Sequence, residues 1–185
     1  MRAVVATSRY PLRDRVMIRL SVKAGMRAEE IACLTWAMVT DAEGAIGDAI
    51  HLTNDASKGK RGGRTIPMNT NLREALIALK ADRGEKAAPP RRVIHSDRGD
   101  GLSAAAVQMW FARLYGKLGF AGASSHSGRR TFITRAARKI IEAGGSLRDV
   151  QELAGHASLA TTQRYIQGST EAKQSVVGGG PYLGD

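Results

Sequence analysis

Residues 126–165 read HSGRRTFITRAARKIIEAGGSLRDVQELAGHASLATTQRY, and the rest of the chain is best read outward from this stretch. Its apolar spacing and Ser caps predict helices over 127–143 and 146–154 and a short helical piece over 158–165. His126 and Arg129 stand three apart, a spacing that puts both on one helix face, able to hold the same phosphate. Gly155-His156 is followed nine residues later by Tyr165.

Upstream, Leu12, Val16, Leu20 and Ala24 recur at every fourth position, which predicts a helix over 11–24 with Pro11 suited to its first turn. Gly25 separates it from a second short helix over 28–36, with Ile31, Leu34 and Cys33 turned inward and Glu29 wet. From residue 45 the pattern becomes β-like. Ala49-Ile50-His51-Leu52 and Arg64-Thr65-Ile66-Pro67 flank the basic, Gly-rich residues 58–63, which predicts a small hairpin. Helices resume over 69–82, with Asn69 as cap, and over 103–118. Residues 83–90 are polar and contain Pro, as a surface loop would, and the tail from Gly168 through Gly178-Gly179-Gly180 is expected to be flexible. The fold class expected is therefore mainly α with a small antiparallel β-sheet (α+β), in one domain of ordinary size.

Lys and Arg number 28 against 17 Asp and Glu, a net charge of +11. Such an excess calls for a polyanionic partner. Nucleic acid leads, because neutralised phosphates release their counterions, and an acidic membrane surface is the alternative. No run of 18 apolar residues occurs, and the first ten residues lack the apolar core of a signal peptide, so a soluble, cytoplasmic, nucleoid-associated protein is expected. Cys33 is the only cysteine, which excludes an intrachain disulfide. His51, His95, His126 and His156 are scattered with no carboxylate cluster at ligand spacing, so neither a metal nor a cofactor is expected. Asp97, Asp100 and Gly101 lack the remaining positions of a calcium loop, and the Lys58 loop lacks the Gly-Lys-Ser/Thr of a nucleotide site.

Taken singly, each candidate has a plain structural explanation. Arg27 would be a solvated helix-start arginine, Tyr165 a core aromatic, since a phenol of pKa about 10 is a poor nucleophile without nearby cations. Their order along the chain is what carries weight. Gly25-Met26-Arg27 followed by Glu30, Leu34 and Trp36, then Lys58, then His126-Ser127-Gly128-Arg129-Arg130-Thr131-Phe132, then Leu153-Ala154-Gly155-His156 through Thr161-Thr162-Gln163-Arg164-Tyr165, resemble the motifs of the tyrosine recombinase (phage integrase) family over residues 10–167.

That resemblance implies the family's catalytic-domain fold over residues 1–167, with a C-terminal tail over 168–185 that is passed between protomers. It implies DNA strand cleavage and rejoining without metal or ATP. Tyr165 would attack the scissile phosphate and form a 3′-phosphotyrosyl link. Arg27 and Arg129 would grip the non-bridging oxygens, Lys58 would protonate the leaving 5′-oxygen, His126 would serve as acid or base at the tyrosine, and His156 would hydrogen-bond the phosphate. Lys60 is the rival of Lys58, because the turn between Lys58 and Pro67 is about one residue longer than the family's usual one. Glu30 would orient a neighbour, and Lys60, Arg61, Arg64, Arg130 and Arg135 would contact the DNA.

The partners implied are double-stranded DNA and three further copies of the chain, four protomers on two paired sites, with a monomer expected in the absence of DNA. Family members carry a separate N-terminal DNA-clamping domain, so the chain reads as a stand-alone short recombinase or as an integrase without that domain. Two other readings compete: a catalytically idle DNA-binding remnant, and a type IB topoisomerase-like enzyme.

Overall fold

The computed structural model describes residues 5–56, 63–96, 99 and 101–165. Lys58, Lys60, Arg61, Asp97, Asp100 and the tail from 166 onward lie outside the described residues. Within them the chain is mostly helical with one two-stranded antiparallel sheet, the fold class expected from sequence.

The first helix, α1 (Pro11–Lys23), starts on a proline whose missing N–H has no helical acceptor to lose. It buries Val16, Met17 and Leu20. A turn through Gly25 leads to α2 (Ala28–Cys33), which ends earlier than the expected 28–36. The reason is a competing set of backbone bonds. Leu34 is extended, its carbonyl accepts from Val93 N–H (2.9 Å), and Trp36 N–H donates to Arg91 O (3.1 Å), so the chain joins a neighbouring segment instead of continuing the helix. Trp36 then opens a 3₁₀ turn (Trp36–Met38) and is fully buried. Ile31 and Leu34 face inward and Glu29 is exposed, as expected, whereas Cys33 is only half-buried at the edge of the core.

Strands β1 (Ala49–Leu52) and β2 (Arg64–Pro67) pair antiparallel with Ile50 opposite Ile66, so both isoleucines point into the core while His51 and Thr65 face solvent. Helix α3 (Thr70–Arg83) is capped by the Asn69 side chain, which accepts from Leu72 N–H. Residues 83–90, expected as a surface loop, contain a 3₁₀ turn (Gly84–Ala87) that buries Ala87. Helix α4 (Ala104–Lys117) follows its Ser103 cap and buries Val107 and Phe111.

Helix α5 (Ser125–Glu142) begins two residues earlier than expected. Ser124, not Ser127, is its cap: Ser124 accepts from the helix N-terminus and Ser127 returns a bond to Ser124 N–H, a capping box that places His126 inside the first turn. Two short helices complete the described chain, α6 (Leu147–Ala154) and α7 (Leu159–Gln163).

The core divides in two. The larger part lies among α1, α2, α3, α4 and the sheet, and a smaller one of Ile133, Ala137, Val150 and Ala154 lies between α5 and α6, with Phe132 and Tyr165 packed on it. Helix α1 joins the halves by packing on both α3 and α5. Its contact with α5 depends on glycines. A Cβ on Gly128 would collide with Ser21 Oγ and lie 3.0 Å from Val22, and a Cβ on Gly25, whose φ is +62°, would enter the Phe132 ring.

Replacement of Gly128 by Ala is expected to lower the urea midpoint, with a loss of about 1–3 kcal/mol from overpacking at a tight helix crossing. Gly116, in the last turn of α4 with open space around it, gives the opposite sign: Gly116→Ala should gain about 0.4–1 kcal/mol by restricting the unfolded chain. Equal destabilisation by both substitutions would rule out this account of the α1–α5 contact.

Candidate active site

The seam between the two cores gathers residues from four distant segments. Glu30, in the first turn of α2, is fully buried. Its Oε1 accepts from Arg27 Nη1 at 2.8 Å and from Arg64 Nη1 at 2.6 Å, and its Oε2 accepts from Arg27 N–H at 2.8 Å and from Arg64 Nη2 at 2.9 Å. Four donors thus fill the carboxylate's acceptor capacity. Burial pushes the Glu30 carboxyl up, but the hydrogen bonds and charge of Arg64 and Arg27 outweigh it and hold the group below the usual carboxylate range.

Arg129, on α5, is buried and donates to two carbonyls, Gly25 O in the turn ahead of α2 and Ala154 O at the end of α6 (2.6 Å for the latter). Arg27 reaches across in the same direction, its Nη2 donating to Gly155 O at 3.0 Å. Burial and the neighbouring charge of Arg27 pull Arg129 down to about 10, so it stays a cation at neutral pH; Glu30 and a Tyr165 phenolate act the other way. Two guanidinium groups, of Arg27 and Arg64, therefore share one carboxylate, a third, of Arg129, stands beside them on backbone carbonyls, and the excess positive charge suits the cluster to an anion.

His156 lies beside this cluster, with its Nδ1 3.0 Å from the Oγ1 of the fully buried Thr162. Burial, then the positive charge of Arg129, Arg27 and Arg64, push it down to about 4. At neutral pH the ring is uncharged, with one nitrogen committed to Thr162. The Tyr165 ring stacks on it, centroids 5.5 Å apart and planes 19° apart, and Thr134 Oγ1 donates to Tyr165 O at 3.5 Å. A cavity of about 1050 Å³ opens here, with Arg27, Arg64, Gly155 and His156 in its wall.

Of the residues singled out from sequence, the structure brings together Arg27, Glu30, Arg64, Arg129, His156 and Tyr165. His126 stands exposed in the first turn of α5, and Arg130 and Arg135 are exposed further along that helix. Arg64, expected on the DNA-contacting surface, instead has a side chain only 10% exposed, with both terminal nitrogens bonded to Glu30. Lys58, Lys60 and Arg61 lie outside the described residues. Thr162 and Thr134 were not singled out; the pair Thr161-Thr162 just ahead of Tyr165 was the available signal, but which hydroxyl turns inward depends on the pitch of α7. Among the described residues no group of His, Cys, Asp and Glu could hold a metal ion, and no helix is long and apolar enough to cross a membrane.

The sequence profile of the phage integrase family matches residues 1–172. The chain belongs to that family. Curated relatives include the tyrosine recombinase XerC of Xylella fastidiosa (strain 9a5c), 34% identical over 155 residues, covering 83% of this chain and 48% of the relative. XerC of Pelobacter propionicus is 30% identical over 169 residues, covering 90% of this chain and 51% of the relative. The chain thus spans about half the length of the curated relatives it matches. The crystal structure of XerA recombinase matches with a TM-score of 0.71 at 22% identity, over 96% of this chain and 60% of that one. The Tn1549 transposon integrase in complex with transposon right end DNA matches with 0.69 at 21% identity, over 96% of this chain and 63% of that one. The two solved structures share the fold of this chain.

The depressed His156 has a consequence for stability. An unfolded chain binds its proton near the ordinary value of 6.5, the folded chain only near about 4, so the folded state loses stability as pH falls from 6.5. Thermal melts between pH 7 and about pH 5 should show this loss in the parent protein and a shallower one in His156→Gln, with His95, likewise lowered by burial, supplying part of what remains. An identical slope in both proteins would show that His156 is not held neutral by the fold.

Proposed function

We propose that this phage integrase family chain cleaves and rejoins DNA strands by transesterification, with Tyr165 as the nucleophile. The observation that carries the reading is the stacking of the Tyr165 ring on an uncharged His156 beside a cluster of three guanidinium groups, two of them bonded to the buried Glu30 and the third, of Arg129, to backbone carbonyls. A phosphodiester is a single anion whose charge spreads over its equatorial oxygens as it is attacked, and fixed cations in a partly dry cleft stabilise that state more than the ground state.

In this scheme the Tyr165 Oη attacks phosphorus, the bond from phosphorus to the 5′-oxygen breaks, and the strand's 3′-phosphate is left on the tyrosine. Arg27 and Arg129 hold the non-bridging oxygens. Both are already tied to backbone carbonyls, so little side-chain freedom remains to be lost when the phosphate arrives. His156 donates one hydrogen bond to a phosphate oxygen through the nitrogen that Thr162 leaves free, its Nδ1 accepting from the Thr162 hydroxyl in that tautomer. His126 takes the phenolic proton, and Lys58 protonates the departing 5′-oxygen, in preference to Lys60. Attack by a 5′-hydroxyl on the phosphotyrosine reverses the sequence and joins a new strand. Energy is conserved in the covalent link, so no nucleotide is consumed.

The exposed Arg130 and Arg135 are suited to the phosphates flanking the cleaved one. Residues 1–167 would form the catalytic domain, and the tail over 168–185 would pass to a neighbour in a tetramer on paired DNA sites. Double-stranded DNA is the substrate class that the net charge of +11 fits.

The test is a suicide DNA substrate, nicked near a site taken from the DNA flanking the gene, incubated with protein and resolved on a denaturing gel. A covalent adduct is expected, and Tyr165→Phe should abolish it while retaining the gel-shift affinity of the parent. DNA binding with no adduct would point to an idle DNA-binding remnant, and an adduct that survives in Tyr165→Phe would mean that another nucleophile is used.

A further inference from the structure

We propose that Arg64 is a positioning residue of the transesterification site, its guanidinium clamped on Glu30 and packed beneath Gly155, where it sets Arg27 and His156 against the phosphate rather than contacting the DNA backbone. The inference rests on the reading of function given above and assigns a further role within it.

The geometry is a closed circuit. Arg64 donates to both oxygens of Glu30, at 2.6 and 2.9 Å; Glu30 accepts from the guanidinium and the N–H of Arg27, both at 2.8 Å; Arg27 donates to Gly155 O at 3.0 Å. The circuit closes through packing, because a Cβ on Gly155 would lie 2.6 Å from Arg64 Nη1 and 3.1 Å from its Cζ. The space a side chain would use at residue 155 is filled by the Arg64 guanidinium, and His156 is the next residue. Strand β2, which carries Arg64, packs on α6, which ends at Ala154, so the side chain spans the contact between the sheet and the nucleophile half of the molecule.

Two features separate positioning from DNA contact. The side chain is only 10% exposed, and both terminal nitrogens are already engaged by a carboxylate that has no exposed surface. A backbone-contacting arginine keeps its fork in solvent for the phosphate. The fork itself matters as well as the charge. A planar guanidinium can meet both carboxylate oxygens at once, whereas an ammonium is a point donor that cannot hold Glu30 against rotation. Without the fork, Glu30 is fixed in orientation only by Arg27, and the Arg27 guanidinium is free to turn fully onto it and away from Gly155 O.

The experiment compares Arg64→Lys and Arg64→Met with the parent, after thermal melts and circular dichroism establish which variants fold. Single-turnover cleavage of the suicide substrate is measured at saturating DNA, DNA affinity by gel shift, and the titration of the His156 ring by NMR on DNA-free protein. In Arg64→Lys, cleavage at saturation should fall by about 100-fold, the scale of a 1 Å misplacement in a reacting complex, while affinity stays within about 2-fold because no phosphate contact is lost. The His156 midpoint should stay low in Arg64→Lys, which keeps the charge, and rise in Arg64→Met, which removes it. If Lys supports parental cleavage, or if the loss is confined to affinity with a shallower salt dependence, Arg64 is a DNA contact and the proposal fails. If the parent itself forms no adduct, the functional reading fails on its own. The positioning role is then decided on DNA-free protein by hydrogen exchange of the Arg27 guanidinium, which should be faster in Arg64→Lys; unchanged exchange overturns it.

Discussion

A buried carboxylate is costly unless its oxygens are fully hydrogen-bonded, and Glu30 meets that condition only because Arg27 and Arg64 each bond both of its oxygens. The same requirement organises the rest of the seam. Two arginines at contact distance repel by about 4 kcal/mol at an effective dielectric constant of 20, so the cations collect here only where acceptors hold them apart. Those acceptors are Glu30 and three backbone carbonyls, Gly25, Ala154 and Gly155, contributed by chain segments more than 100 residues apart. Each arginine is therefore an electrostatic element and a tie between segments. Arg129 alone joins α5 to the turn ahead of α2 and to the end of α6.

Electrostatics and packing reinforce one another at this seam. The close approach of α1 to α5 through Gly128, and of Phe132 to Gly25, brings the Arg129 guanidinium within reach of Gly25 O. The two halves of the core, hydrophobic and separately small on the α5–α6 side, are joined across a polar layer rather than a continuous apolar one. Replacing such a layer with well-packed apolar side chains is often neutral or stabilising. Retaining an excess of positive charge is the pattern expected where an anion completes the structure. The uncharged His156 belongs to the same design, since a further cation at that place would add to the repulsion, while a neutral imidazole hydrogen-bonded to Thr162 supplies direction without charge.

Much of this was legible in the sequence, and the parts that were not have definite causes. The hairpin strands at 49–52 and 64–67 were readable because β-like runs flank a Gly-rich basic turn. Helix α1 was readable because a spacing of four repeats over three turns. The start of α5 was not, because Ser124, Ser125 and Ser127 are all good caps and only the reciprocal bond from Ser127 selects the first. The end of α2 was not, because the acceptors and donors that draw Leu34 and Trp36 into extended structure come from residues 91–93. The burial of Ala87 in a segment that reads as a polar loop has the same origin in distant neighbours.

By itself the sequence determined the residue types, their order and their local placement: a mainly helical chain with one hairpin, strongly basic, carrying Arg27, Glu30, Arg129, His156 and Tyr165 in segments whose short-range spacing suits them. Local physics reaches that far because caps, turns and amphipathic periods are set by neighbours within about one or two helical turns. Tertiary structure alone decided which charges meet. Arg64 is a partner of Glu30 across 34 residues and lies under Gly155, Arg129 is buried and not surface-facing, and Thr162 is the hydroxyl that orients His156. An arginine on a strand reads the same in sequence whether it faces a phosphate or a carboxylate, and the difference is made by which segments fold against it.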